Sequence, residues 1–101
     1  MKIRLICVGT KMPAWVEAGV AEYRKRLPRE FELGITEIPM AQRSKSIDSE
    51  TLKIREGEAC LKALSPGDFV IALDVLGKTL STESMAAQIS TIRDSGRHIS
   101  M

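Results

Sequence analysis

Few side chains in this sequence have the types and spacing that catalysis or metal binding requires. The only histidine is His98, and no motif places a serine or cysteine nucleophile beside it, so a Ser-His-Asp catalytic set is not predicted. Cys7 and Cys60 lack the CxxC spacing of zinc and redox sites, and we expect both to be reduced core thiols. The sequence therefore predicts no metal site.

Two glycine-containing turns were tested as phosphate-binding loops. The first strand-to-helix turn, residues 9–13, lacks the GxGxxG spacing of dinucleotide sites. Gly77, Lys78 and Thr79 match the end of a Walker A loop, but the leading glycine of that motif would fall at Ala72, inside a predicted strand. We therefore expect neither turn to bind phosphate.

The third predicted strand ends at Leu73, Asp74 and Val75. In open parallel sheets, ligands bind in the crevice outside the carboxyl ends of the strands. The backbone at this strand end could pair with a flat base. Asp74 alone is better explained as an acid that caps the following loop.

A basic cluster is the other candidate for a binding surface. Its predicted RNA contacts are Arg24, Arg26, Arg43 and Lys45, with Lys25 and Arg29 nearby. Cations near a helix C-terminus also favour the helix dipole, so the first part of the cluster has an equally simple structural explanation. The formal net charge of +2 is too small to indicate nucleic-acid binding.

The elements that must position these residues alternate regularly along the chain. Apolar runs predict strands at residues 2–8, 31–38 and 69–75, and the last of these, apolar on both faces, is expected at the sheet centre. Helical stripes separate them. The first comprises Val16, Gly19, Val20, Tyr23 and Leu27, the second Ile54, Gly57, Leu61 and Leu64, and the third Met85, Ala86, Ile89 and Ile92.

Helix ends and one internal glycine add further expectations. Ser46 or Ser49 is expected to cap the second helix and Ser81 the third, with Gly96 supplying the left-handed residue after it. Gly57 lowers helix propensity by about 1 kcal/mol relative to alanine, which suggests close backbone packing at that position.

The order β-α-β-α-β-α-β predicts an α/β fold: an open, mostly parallel sheet with helices on both faces, formed by residues 1–101 as one domain. The fourth strand starts at His98, close to the last residue, Met101, so we expect the final β-α unit to be cut off. The apolar run of residues 5–8 is too short for a signal peptide or a membrane span, which makes the cytoplasm the default location.

Several stretches together resemble one family. They are residues 8–16 (VGTKMPAWV), Glu22-Tyr23 with Arg26-Leu27-Pro28, Glu37-Ile38-Pro39, Glu56-Gly57-Glu58, and Leu73-Asp74-Val75 before Gly77-Lys78. Taken in order along all 101 residues, this pattern is similar to the ribosomal RNA large subunit methyltransferase H family, a group of small SPOUT-class enzymes.

The resemblance implies a cytoplasmic homodimer that transfers a methyl group from S-adenosylmethionine to N3 of a pseudouridine in 23S ribosomal RNA, on the assembled ribosome and without a metal. By position, the resemblance assigns Leu73 to the adenine region of the cofactor pocket. It identifies no catalytic residue. A small α/β module that binds RNA or a protein without chemistry is the alternative.

The same resemblance implies that the family's C-terminal trefoil knot, its Gly-Gly turn and its closing His-Pro-Tyr-His segment follow Met101. The chain would then be the N-terminal part of an α/β-knot fold, without the knot. We therefore expect little methyl transfer from these residues alone. The implied dimer uses the C-terminal helix, so no orderly dimer is expected of them either.

Overall fold

A computed structural model describes residues 1–42 and 46–101. Arg43 and Lys45, two of the predicted RNA contacts, lie outside the described residues. The helices and strands, in chain order, are β1 (Lys2–Val8), α1 (Ala14–Lys25), β2 (Glu32–Ile38), α2 (Ser49–Ala63), β3 (Phe69–Val70), α3 (Thr82–Asp94) and β4 (Ile99–Ser100). The predicted alternation and the α/β class are confirmed.

The four strands form one parallel sheet in the order β2-β1-β4-β3. The crossover helices lie on both faces, as predicted. Ile92 of α3 packs on the face that carries Ile3 and Ile99. On the other face, α2 packs against β1 and β2. Ligand sites of such sheets lie at the carboxyl ends of the strands.

The core lies between α3 and the middle of the sheet. Ile3, Ile92 and Ile99 form its buried centre, and Ile99 has no exposed surface at all. Phe31, Leu33, Ile71 and Ile89 are among the partly buried residues around them. Ile99 therefore anchors β4 in the core, although this strand is only two residues long.

The position of β3 differs from the expectation. The sequence predicts a central strand over residues 69–75, but β3 lies at the edge of the sheet and pairs only over Phe69–Val70. Among residues 1–42 and 46–101 it pairs with β4 alone, over two residues of each strand. Val70, Leu73 and Val75 are consequently exposed, although their apolar character is typical of a covered strand.

The buried face of α2 also differs from the expectation: Leu52 is buried, while Ile54 and Leu61 are exposed. The half-buried residues of α2 include Ala59 and Ala63 as well as Leu64 of the predicted stripe. In α1, the half-buried residues are Val16, Gly19 and Val20 of the predicted stripe, although none is fully buried and Tyr23 and Leu27 are exposed.

The helix ends confirm two of the expected signals and correct a third. The Ser81 hydroxyl accepts a hydrogen bond from the Ser84 N–H at 3.1 Å, and Gly96 has a φ of 79°. Helix α2 is instead capped by Asp48, which accepts from the Thr51 N–H at 2.7 Å. That bond lowers the pKa of Asp48. A carboxylate cap of this kind is favoured because it satisfies a free helix N–H.

Gly57 is not in close packing, contrary to the expectation, because no atom lies within 4 Å of where its Cβ would stand. We therefore predict that Gly57→Ala raises the free energy of unfolding by about 0.5–1 kcal/mol, through the lower entropy of the unfolded chain. Denaturant unfolding measures this change. Gly19→Ala in α1 has equally open surroundings and should show a similar gain. A loss at Gly57 alone would reveal a close contact there.

Candidate cofactor groove

An apolar groove opens at the carboxyl ends of the strands and has a volume of about 390 Å³. We call it the strand-end groove. Its walls are residues 5–7 of β1, residues 70–73, Ser100 and Met101, and the α2 residues Gly57, Cys60, Leu61 and Leu64. Pockets of 300–1,000 Å³ in this position are typical sites for small molecules.

The groove lies where β4 passes between β1 and the segment that follows β3. Met101 exchanges backbone hydrogen bonds with Arg4 and Ile6, both at 2.7 Å, and the Ile71 N–H donates to the Ser100 carbonyl at 2.9 Å. These bonds fix the strand ends that line the groove.

Leu73 lines this groove, and 73% of its surface is exposed. The loop that follows it is held by Asp74, whose carboxylate accepts from the Leu76 N–H at 2.8 Å. The Gly77 N–H donates to the Asp74 carbonyl at 3.0 Å. Asp74 thus has the loop-capping role predicted for it, and Leu73 is presented at the mouth of the groove by a turn with its own hydrogen bonds.

The lining residues fit one part of S-adenosylmethionine better than the other. Leu5, Leu61 and Leu73 offer flat apolar surface of the kind that an adenine ring needs. The polar side chains in the lining are Cys7, Cys60 and Ser100, and the Ser100 hydroxyl is already bonded to Asp68. The described lining therefore offers few polar side chains for the polar parts of the cofactor.

A buried polar cluster lies behind the groove. The carboxylate of Asp68 accepts hydrogen bonds from the Arg4 guanidinium and, at 2.7 Å, from the Ser100 hydroxyl. It joins the turn before β3 to both β1 and β4. Burial opposes ionisation of Asp68, but the hydrogen bonds from Ser100 and Arg4 and the charge of Arg4 outweigh it, so its pKa is lowered.

Arg97 holds the same turn from the other side. Its guanidinium donates to the carbonyls of Gly67, at 3.1 Å, and Asp68, at 3.0 Å, and lies 5.2 Å from the ring centre of Phe69. Arg97 and Asp68 together fix the start of β3, the strand that leads to Leu73. Sequence reasoning missed both residues. The one available signal was Arg4, a charged residue in an otherwise apolar strand.

Of the four predicted RNA contacts, the structure describes Arg24 and Arg26. Arg26 is exposed, pairs with Glu22 at 3.2 Å and lies over the Tyr23 ring at 5.0 Å. Arg24 instead lines a second groove beside α1. The position of these two relative to Arg43 and Lys45 is outside what the structure describes.

The contacts of the two cysteines and the histidine are structural. Cys7 is exposed and not in the core as expected, because it lies at the open end of β1, while Cys60 is half-buried; both are free thiols. The His98 Nδ1 accepts from the Lys2 N–H at 2.9 Å. Among the described residues, no group of three or more His, Cys, Asp or Glu side chains could hold a metal ion, and no helix is long and apolar enough to cross a membrane.

A parallel α/β sheet with an apolar groove at its strand ends is the architecture of many nucleotide- and cofactor-binding enzymes. A family profile described as "Predicted SPOUT methyltransferase" matches residues 1–101. The chain therefore belongs to the SPOUT methyltransferase family, which is a family of enzymes.

The chain is also similar to proteins named ribosomal RNA large subunit methyltransferase H. Identity is 48% with the protein of Hahella chejuensis, 46% with that of a Marinomonas species and 45% with that of Ectopseudomonas mendocina. Each match covers all 101 residues of this chain and 65% of the relative. The chain thus spans about two thirds of the length of these relatives.

Proposed function

We propose that this chain takes part in S-adenosylmethionine-dependent methylation of large-subunit ribosomal RNA, at N3 of a pseudouridine in the 23S molecule. The observation that supports the proposal is the match of the whole chain to relatives named ribosomal RNA large subunit methyltransferase H. Residues 1–101 would act as one α/β domain, in the cytoplasm and on the assembled ribosome. The homodimer that the family resemblance implies uses the C-terminal helix and is not proposed for residues 1–101 alone.

The strand-end groove would hold the adenine part of the cofactor. Leu73 would cover one side of the ring, and Leu61 of α2 contributes apolar surface to the same groove. The bound cofactor would supply the methyl group. The protein's contribution at this site would be orientation and exclusion of water, because the described lining offers no acid or base.

The RNA would be bound through Arg24, Arg26, Arg43 and Lys45. Arg26 supports this role in part, because its guanidinium stacks on Tyr23 at an exposed site where phosphate can replace Glu22 as a partner. Contacts of this type weaken as salt concentration rises, since each one releases counterions from the nucleic acid.

We predict that this chain binds S-adenosylmethionine and that Leu73→Asp weakens binding about tenfold or more, because a carboxylate would be buried against the adenine. Calorimetric titration measures the affinity, with S-adenosylhomocysteine as competitor. Val75→Asp is the matched control, since Val75 is 99% exposed and does not line the groove. It should bind normally.

Two other results would contradict the proposal in different ways. Equal affinity of Leu73→Asp and Val75→Asp for S-adenosylmethionine would place the cofactor away from the strand-end groove. Salt-dependent binding of ribosomal RNA by a folded chain that binds no cofactor would favour the alternative, a non-catalytic RNA- or protein-binding module.

A further inference from the structure

Strand β2 leaves one edge of the sheet open. It is the last strand in the order β2-β1-β4-β3, and none of the described residues pairs with its outer side. Glu32 donates to Met1 and Ile38 accepts from Gly9, so the even-numbered residues bond towards β1. Because backbone groups alternate along a strand, the N–H and C=O groups of Leu33, Ile35 and Glu37 point outward.

This edge lacks most of the usual protection against strand pairing. Natural edge strands are commonly blocked by proline, charged side chains (lysine above all), a bulge or very short length. The charged side chains of β2 are Glu32 and Glu37. Strand β2 is seven residues long and contains neither proline nor lysine, and its register with β1 runs without a bulge. An open edge of this kind is suited to the addition of an extended segment from another chain.

A second groove lies beside this edge, between the sheet and α1, with a volume of about 360 Å³. We call it the edge groove. Its apolar lining includes Leu5, Val16, Val20 and Ile35. Ile35 and Glu37 line this groove, and their backbone N–H and C=O groups also point outward from the sheet edge. An added strand could therefore bond to β2 and place alternate side chains in the groove.

The two ends of the edge groove carry opposite charges. Glu17 and Glu37 line one end, and Arg24 lines the other. Arg24 lies seven residues beyond Glu17 on α1, a separation of about 10 Å along the helix. Within the described ranges, none of these three side chains forms an ion pair. The groove thus presents an acidic end, an apolar middle and a basic end.

We propose that β2 and the edge groove form a docking site for an extended peptide segment of a partner protein. The segment carries a basic residue, then an apolar residue two positions later, then an acidic residue two positions after that. Antiparallel pairing, the more stable arrangement per residue, places these opposite Glu37, Ile35 and Leu33. The acidic residue then lies at the Arg24 end. This site lies on the opposite side of β1 from α2 and is distinct from the proposed cofactor groove, although Leu5 and Cys7 line both.

The test uses a labelled peptide, Ser-Lys-Thr-Val-Thr-Glu-Ser, titrated into this chain. Fluorescence anisotropy gives the affinity, and amide chemical shifts show where the peptide binds. We expect saturable binding with the largest shifts at residues 33–37. The control peptide, with glutamine in place of Lys and Glu, should bind about tenfold more weakly because it lacks both charges.

Two variants separate strand addition from general adhesion. Ile35→Pro removes an outward N–H without touching the bonds to β1, and it should abolish binding. Glu37→Lys reverses the acidic end and should weaken binding about tenfold. Glu32→Lys is the matched control, because Glu32 lies on the same strand but does not line the edge groove. Glu32→Lys should bind the peptide normally. The comparison of the two lysine variants keeps the test valid if the proline variant does not fold.

Three results would overturn the proposal. The first is no binding, or shifts confined to other strands. The second is equal loss in Glu37→Lys and Glu32→Lys, which would indicate non-specific charge attraction. The third is sedimentation of the free chain as a dimer that Ile35→Pro converts to a monomer, since the edge would then pair with a second copy.

Discussion

Replacement of Ile99 by alanine is expected to lower the free energy of unfolding by about 3–4 kcal/mol, in the middle of the range of about 2–5 kcal/mol for buried aliphatic residues. Ile99 is wholly buried and packs with Ile3 and Ile92. Alanine would leave a cavity that the two-residue strand β4 has few other contacts to close. The loss is large for a domain whose total stability is typically 5–15 kcal/mol.

Denaturant unfolding followed by circular dichroism measures this change. Val75→Ala is the matched control, because the Val75 side chain is almost fully exposed and its loss should change stability by less than about 0.5 kcal/mol. Similar stability in the two variants would contradict the assignment of Ile99 to the core. Ile99→Val should lie between them, with a loss of about 1 kcal/mol.

Local sequence signals were sufficient for the elements of this fold. Apolar runs identified β1 and β2, and Ser81 and Gly96 marked the ends of α3. These signals depend on nearest neighbours in the chain, through capping bonds and the fixed periods of helix and strand. They are therefore readable without knowledge of what each element packs against.

The lateral position of β3 could not be read in the same way. An apolar run such as residues 69–75 shows that a strand can be covered on both faces, but it does not show which strands lie beside it. The pairing of Phe69 with Ile99 depends on a segment about 30 residues further along the chain. The burial of Leu52 in α2 has a similar cause, because it depends on how the helix packs against β1 and β2, which lie far from it in the sequence.

Part of the candidate site was also readable from the sequence. The position of Leu73 followed from the family resemblance, and the loop-capping role of Asp74 followed from its place after a strand. The cluster of Arg4, Asp68 and Ser100 did not follow, because its members are up to 96 residues apart and no spacing rule joins them. Only folding brings them together.

Replacement of Asp68 by asparagine tests that cluster, and it is expected to cost about 1–3 kcal/mol of stability at neutral pH. Asparagine is close to the same shape but loses the charge that binds the Arg4 guanidinium. Arg4 is then left partly buried without its partner. Asp94→Asn is the matched control, since Asp94 is an exposed acid that pairs only with its neighbour Arg93. A change below about 0.5 kcal/mol is expected there.

The effect of Asp68→Asn should depend on pH in a defined direction. Because the folded state lowers the pKa of Asp68, the native protein binds fewer protons than the unfolded chain near pH 4, and stability rises with pH through that range. The stability difference between wild type and variant should therefore be largest above about pH 4. It should narrow as the pH falls through the lowered pKa, where the carboxyl takes up a proton in the folded protein as well. Asp48 and the other acids are common to both proteins and cancel. Unfolding curves of both proteins from about pH 2.5 to 7 measure the difference, and a constant difference across that range would mean that the charge of Asp68 does not stabilise the fold.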